Sequence, residues 1–281
     1  MPAEGLRLEV RPRTVLFAGH RYPFTARQRY NSGLDLPTAD LRRFRRNLSA
    51  FGDLLRKTAA PQSLTFLLDE TRLRHFRTRF ERAFVRQIRR GARGVFHGNL
   101  LKGVRELRGC GLGLTPSGDD FIAGILIGLH LHRELYVHDH QAIADAICRA
   151  AKGRNLFSNT ALELARQGLL FGRAKDLLLA LVSGNAPSVR QATQRLLAVG
   201  ANSGADIGTG LFMSLRDGGL RDACQAQFKL VGVPEARAKA LVSENLAQAL
   251  GDHRHHSRHR QDQQQTRRPG DRRAEEQHHH A

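Results

Sequence analysis

Cysteine is scarce in this chain: there are three in 281 residues, at Cys110, Cys148 and Cys224, far apart and without metal-ligand spacing. They cannot form a disulfide framework, so a reducing cytoplasm is the expected compartment. Long apolar runs are missing too. The longest, near residues 121–131, falls well short of the roughly 20 residues that span a bilayer. No signal-peptide pattern opens the sequence. These absences argue against a membrane-spanning helix and a secreted, disulfide-stapled module. The expectation is a soluble cytoplasmic protein with no membrane partner. Lysine is also scarce, so arginine carries nearly all the positive charge.

There is no shortage of charge itself. The formal net charge is +19 and the sequence pI about 11.3. An excess of that size raises the prospect of a nucleic-acid partner, since Lys and Arg neutralise phosphates. Most of it lies before residue 110, in runs such as "LRRFRR" and "FRTRFERAFVRQIRR". There the arginines alternate with apolar residues, as they do on the solvated faces of amphipathic helices. No nucleic-acid recognition motif accompanies them, so nucleic acid is not the expected partner.

The pattern along the chain predicts an α+β protein in three parts. Residues 1–108 form an Arg-rich α+β part. Its β-like pieces "LRLEV" and "TVLFAG" precede helical periodicity over 39–58 and 69–90, with "SLTFLL" between them as a strand. Residues 109–250 form a mainly helical domain. Its helices are expected over about 118–133, 139–152, 157–168, 174–183, 188–199, 204–216 and 234–250, with glycine at most junctions. Residues 251–281 hold seven of the 14 histidines and almost nothing apolar, the composition of a disordered tail.

One stretch occurs twice. Ser117-Gly118-Asp119-Asp120-Phe121-Ile122-Ala123-Gly124 is matched, 86 residues on, by Ser203-Gly204-Ala205-Asp206-Ile207-Gly208-Thr209-Gly210. Both read Ser-Gly-x-Asp-x-x-x-Gly, followed by three apolar residues, a small residue and Leu. Each follows a loop and opens a helix. Ser-x-x-Asp resembles a capping box, and acids are favoured at helix N-termini. Capping does not explain the glycines, which each cost up to about 1 kcal/mol against alanine inside a helix. Gly124 and Gly210 hold equivalent mid-helix places, with Gly128 and Ser214 one turn on. Small residues in such places let backbones approach, so the two helices are expected to pack about a pseudo-twofold axis with their N-termini together.

Two converging helix N-termini favour a phosphate or carboxylate. Ahead of the first lies Gly109-Cys110-Gly111-Leu112-Gly113, a loop suited to positive φ and close approach to a ligand. It is neither a Walker loop nor a dinucleotide fingerprint. The candidate anion-binding residues are Gly111, Gly113, Thr115, Ser117, Gly118, Ser203 and Gly204. Asp120 and Asp206 occupy equivalent places and are the candidate catalytic carboxylates. Each could accept from an amide NH₂, bind a metal or act as a general base. Asp119 has no counterpart in the second copy, so it is either a special catalytic acid or a surface residue. No cofactor is assigned.

The sixteen residues from Gly109 to Gly124 resemble the signature Gly-x-Gly-Pro-Gly-Leu-Thr-Pro-Ser-Gly-Asp-Asp-x-Leu-x-Gly. It belongs to a bacterial family that includes the third subunit of oxamate carbamoyltransferase. Leu112 stands where proline is usual. "NLFSNTALELARQG" is similar to the family's Thr-x-x-Ser segment and the helix after it, with Ser158, Leu164, Ala165 and Gly168 agreeing and Asn155 replacing threonine. "VGANSGADIGTG" is similar to a later Gly-His-x-Ser-Gly-x-Asp motif, without the histidine and with Asn202 near the polar position. The likeness covers about residues 95–216; the first ninety residues match poorly. It implies a subunit of a carbamoyltransferase-like enzyme of purine and allantoin degradation, with other subunits as partners. It also implies a small anionic substrate (phosphate, carbamoyl phosphate or oxalurate) and adds Ser158 to the candidate site. Lys102, Arg105 and Arg154 flank the motifs as candidate phosphate neutralisers. Two alternatives stay open: a non-catalytic ligand-binding or regulatory subunit, and a basic nucleic-acid-binding protein.

Overall fold

A computed structural model describes residues 8–12, 14–23, 30–136, 141–216 and 220. The expected helix over 234–250 and the tail 251–281 lie outside them. The described residues form an α+β protein: a small antiparallel sheet followed by a mostly helical region. Strands β1 (Leu8–Arg11), β2 (Thr14–Phe17) and β3 (His20–Pro23) form a meander in sequence order. Phe17 faces His20 across a two-residue turn. That turn places Ala18 at φ 49° and Gly19 at φ 78°, the left-handed pair that matches the twist of a tight hairpin.

Helix α1 (Leu41–Thr58) buries Phe44, Leu48, Phe51 and Leu55, a stripe at helical spacing, and leaves Arg42, Arg43, Arg45 and Arg46 exposed. Helix α2 (Arg79–His97) does the same with Val85, Ile88, Ala92, Val95 and Phe96. The arginine runs are therefore the outer faces of amphipathic helices, as their spacing predicts. Asp40 caps α1, and Thr78 with Glu81 forms a complete capping box on α2.

Two expectations fail between these helices. "SLTFLL" forms no strand: Leu64–Leu67 is a 3-10 turn, with Leu64, Thr65 and Phe66 buried. A short apolar run satisfies either geometry, and here tertiary packing decides. The helix expected over 69–90 is divided. Glu70–His75 is a second 3-10 turn, Phe76 leaves helical geometry, and Thr78 starts α2 afresh. Buried Arg72 donates to Arg56 O, Ala59 O and Ala60 O, closing the C-terminal end of α1.

The remaining helices are α3 (Leu100–Leu107), α4 (Ser117–Tyr136), α5 (Gln141–Ala151), α6 (Leu156–Arg166), α7 (Gly172–Ser183), α8 (Ala186–Leu197) and α9 (Ser203–Leu215). Most differ from expectation by only a residue or two at their ends. Asn99, Asn155 and Asn185 cap α3, α6 and α8 through their side-chain oxygens. Helices α4 and α9 are apolar nearly all round, and every residue of α9 from Gly204 to Ser214 is buried. They pack along each other at the centre. Around α4 lie α3, α5 and α6; around α9 lie α1, α8 and the first 3-10 turn. No helix among the described residues is long and apolar enough to cross a membrane.

Candidate functional site

The central pair is held by its repeated glycines. A Cβ on Gly124 would lie 2.0 Å from Ile207 O, and a Cβ on Gly210 would lie 2.1 Å from Phe121 O. Phe121 and Ile207 are equivalent in the repeat, as are Gly124 and Gly210. Each glycine thus packs on the partner's counterpart of the residue three before itself. Such reciprocity is the mark of a twofold relation. Gly128 abuts the Ser214 hydroxyl one turn further along.

The symmetry reaches further back than the sequence motif. A Cβ on Gly118 would meet Leu107 O at 2.0 Å, and one on Gly204 would meet Leu196 O at 1.9 Å. The end of α3 therefore relates to α4 as the end of α8 relates to α9. Gly118 N–H donates to Cys110 O and Gly204 N–H to Val199 O, at 2.8 and 2.9 Å. These two amides bind the preceding loops, and both glycines are demanded by close packing. Only a backbone carbonyl carries this contact, so nothing in the side-chain pattern of α3 and α8 announces it.

Between α3 and α4 the loop takes the expected left-handed geometry: Gly109 at φ 70°, Gly111 at φ 120° and Gly113 at φ 113°. Gly111 leans on the start of α4, where a Cβ would lie 2.7 Å from Ser117 N. Asp119 is buried and accepts from Gly109 N–H at 2.7 Å. It ties the loop to the helix that follows, a role its missing counterpart in the shorter second loop leaves vacant there. Leu114 O accepts from the Asn155 amide at 2.7 Å, and Thr115 Oγ1 lies 3.3 Å from Ser203 Oγ. Residues 114–115 thus run between the start of α6 and the start of α9.

At the mouth of the pair the hydroxyls of Thr115, Ser117 and Ser203 belong to half-buried residues. The carboxyls lie deeper: Asp120 is 6% exposed and Asp206 0%. Asp120 accepts from Thr115 Oγ1 at 3.0 Å. Asp206 Oδ1 accepts from Leu64 N–H at 2.7 Å, so the misread 3-10 turn holds the second carboxyl. Neither acid closes the capping box that its sequence suggests. The hydroxyl influences are crossed instead: Ser203 of α9 favours the ionised form of Asp120, and Ser117 of α4 that of Asp206. Burial outweighs them. It pushes the Asp120 carboxyl up to about 6 and the Asp206 carboxyl up to about 7, and the negative charge of Asp120 also raises Asp206. Asp206 Oδ2 is buried without a hydrogen-bond partner.

The other expected residues divide. Ser158, in the first turn of α6, is 3% exposed, and its hydroxyl has no partner. Asn155 caps α6 and also holds Leu114 O. Lys102, Arg105 and Arg154 are all exposed. No hydrogen bond or ion pair between described residues joins a Lys or Arg side chain to Asp120, Asp206 or the three hydroxyls. Also among the described residues, no group of three or more His, Cys, Asp and Glu side chains could hold a metal ion.

What the fold and site define is an α+β protein built around a pseudo-symmetric helix pair, with two buried carboxyls beneath a hydroxyl-lined mouth. Residues 107–215 match the family model of the oxamate carbamoyltransferase subunit AllH. No curated protein and no solved structure matches the chain.

Proposed function

We propose that this chain is a subunit of an oxamate-carbamoyltransferase-like enzyme and binds its small anionic substrate at the mouth of α4 and α9. The observation that carries this reading is the convergence there of Asp120, Asp206 and three hydroxyls, with Asp206 Oδ2 buried and unsatisfied. A buried polar atom without a partner is costly unless function retains it. The ligand class is phosphate, carbamoyl phosphate or oxalurate. The two helix dipoles and the hydroxyls of Thr115, Ser117 and Ser203 attract its negative charge. An ionised Asp120 accepts from a carbamoyl NH₂. A protonated Asp206 donates towards an oxygen that gains charge during acyl transfer.

The same geometry suits a ligand-binding subunit whose partner does the transfer. The exposed positions of Lys102, Arg105 and Arg154 favour that second reading, because phosphate neutralisation at the mouth would then fall to another chain. Other carbamoyltransferase subunits are the partners of either form. An apolar rim beside the mouth, formed by Leu112, Leu114, Leu156 and Phe157 at 60 to 80% exposure, gives them a surface to cover.

Thermal melting tests the proposal. The chain is melted alone and with phosphate, carbamoyl phosphate, oxamate or oxalurate. A ligand at 100 times its Kd adds about 2.7 kcal/mol. The expected result is a selective upward shift with carbamoyl phosphate or oxalurate that Asp120→Asn abolishes. Equal shifts in wild type and Asp120→Asn would move the site elsewhere.

A further inference from the structure

A cleft of about 340 Å³ opens beside the α9 end of the mouth, lined by Ala60, Pro61, Gln62, His75, Arg77 and Asn202. Its walls continue the site directly. Gln62 lies two residues before Leu64, whose N–H holds Asp206, and Asn202 immediately precedes Ser203. Asn202 occupies the N-cap of α9 but makes no capping bond; its amide donates across the cleft to Gln62 O at 3.4 Å. Arg77 is exposed and lines the cleft. The nearby acid, Glu81, is already engaged: Oε2 accepts from Arg77 N–H and Thr78 N–H, and Oε1 from the Gln62 amide. Arg74 and His75 are joined through Nε of the one and Nε2 of the other at 3.4 Å. The lining of the cleft itself holds one arginine and no carboxylate. The guanidinium fork of an arginine suits a flat two-oxygen anion.

We propose that this cleft is a carboxylate-binding subsite, taking the carboxylate arm of a substrate whose amide or phosphate-bearing end lies at Asp120 and Asp206. The inference rests on the mouth reading for the second half of that statement only. It supplies the positive charge that the mouth's own side chains lack. It also divides the ligands: those with a carboxylate span both places, and inorganic phosphate needs only the mouth.

The test has two readouts. Calorimetric titration with oxamate and with inorganic phosphate is run on wild type, Arg77→Gln and Asp120→Asn. The Arg77 side chain is exposed, so Arg77→Gln should fold normally. The expected result is about tenfold weaker oxamate binding in Arg77→Gln, with phosphate binding unchanged. Unchanged oxamate binding in Arg77→Gln overturns the subsite. In parallel, the side-chain NMR signals of Arg77 and His75 are followed as oxamate is added at millimolar concentration. Shifts that persist in Asp120→Asn uphold the cleft even where the mouth reading fails. Signals that stay still throughout overturn the cleft whatever the mouth does.

Discussion

Asp206 carries the clearest consequence of burial. Its carboxyl titrates at about 7 in the folded protein, against the ordinary aspartate value of 3.8. Between these values the folded chain keeps a proton that the unfolded chain has released, so stability falls as pH rises through this window. Below about pH 4 the group costs nothing; above about pH 7 the full cost is present. A rise of that size corresponds to roughly 4 kcal/mol. Asp206→Asn keeps an oxygen for Leu64 N–H and removes the buried charge. It should raise the melting temperature at pH 8, change it little at pH 4, and flatten the curve between. A variant less stable than wild type at pH 8, with the same pH dependence, would refute this account. Asp120, at about 6, links the same chemistry to binding. An anion at the mouth raises both carboxyls further, so it binds with proton uptake. Phosphate affinity should weaken as pH rises from 6 to 8, after correction for phosphate's own ionisation, and Asp120→Asn should reduce the dependence. A pH-independent affinity in wild type would uncouple the carboxyls from the ligand.

Helices α4 and α9 approach as closely as their backbones allow, and the glycines set that limit. Gly124→Ala places a methyl 2.0 Å from Ile207 O, where only separation of the helices relieves it. The expected loss is about 3 kcal/mol or more, read as the midpoint of a denaturant melt. Gly210→Ala meets Phe121 O in the same way. Because each variant opens the same interface, the double variant should lose clearly less than the sum of the two. Full additivity would mean that the contacts are independent and the reciprocal packing is wrong. This pair was legible in the sequence because its repeat is written in residue types. The amphipathic faces of α1 and α2 were legible for the same reason, and helix starts were marked by Asn, Asp and Thr caps. The 3-10 turn at Leu64–Leu67 was not, since its apolar residues fit a strand equally well. Nor was the role of Asp119, whose partner is a backbone amide ten residues earlier. The cleft joins residues 62, 75, 77 and 202, and no local pattern relates them.

At the scale of the molecule, the surface is marked by its arginines and by one apolar cluster. The arginines of α1 and α2 point outward from a core shared with α4 and α9. Dispersed cations of this kind keep a protein soluble and serve as a weak guide to partners. Four strongly exposed apolar side chains lie together: Leu112 at 80%, Leu114 at 67%, Leu156 at 73% and Phe157 at 60%. Two belong to the glycine loop and two to the start of α6, which the Asn155 bond to Leu114 O holds together. Scattered exposed leucines need no explanation, but four gathered beside a candidate site resemble an interface awaiting its other half. On the proposed function that other half would be another subunit, whose apolar surface would cover the loop and exclude water from the mouth. Leu114→Asp and Phe157→Asp alter exposed side chains, so the melting of the isolated chain should change by no more than about 0.5 kcal/mol. Co-expressed with the other subunits, each should lose association in size-exclusion chromatography, and the pair should lose it completely. Assembly as in wild type would place the interface elsewhere. Lost assembly with an unchanged melt would fix the rim as the joint, and the apolar burial that explains it is worth about 25 cal/mol for each Å² removed from water.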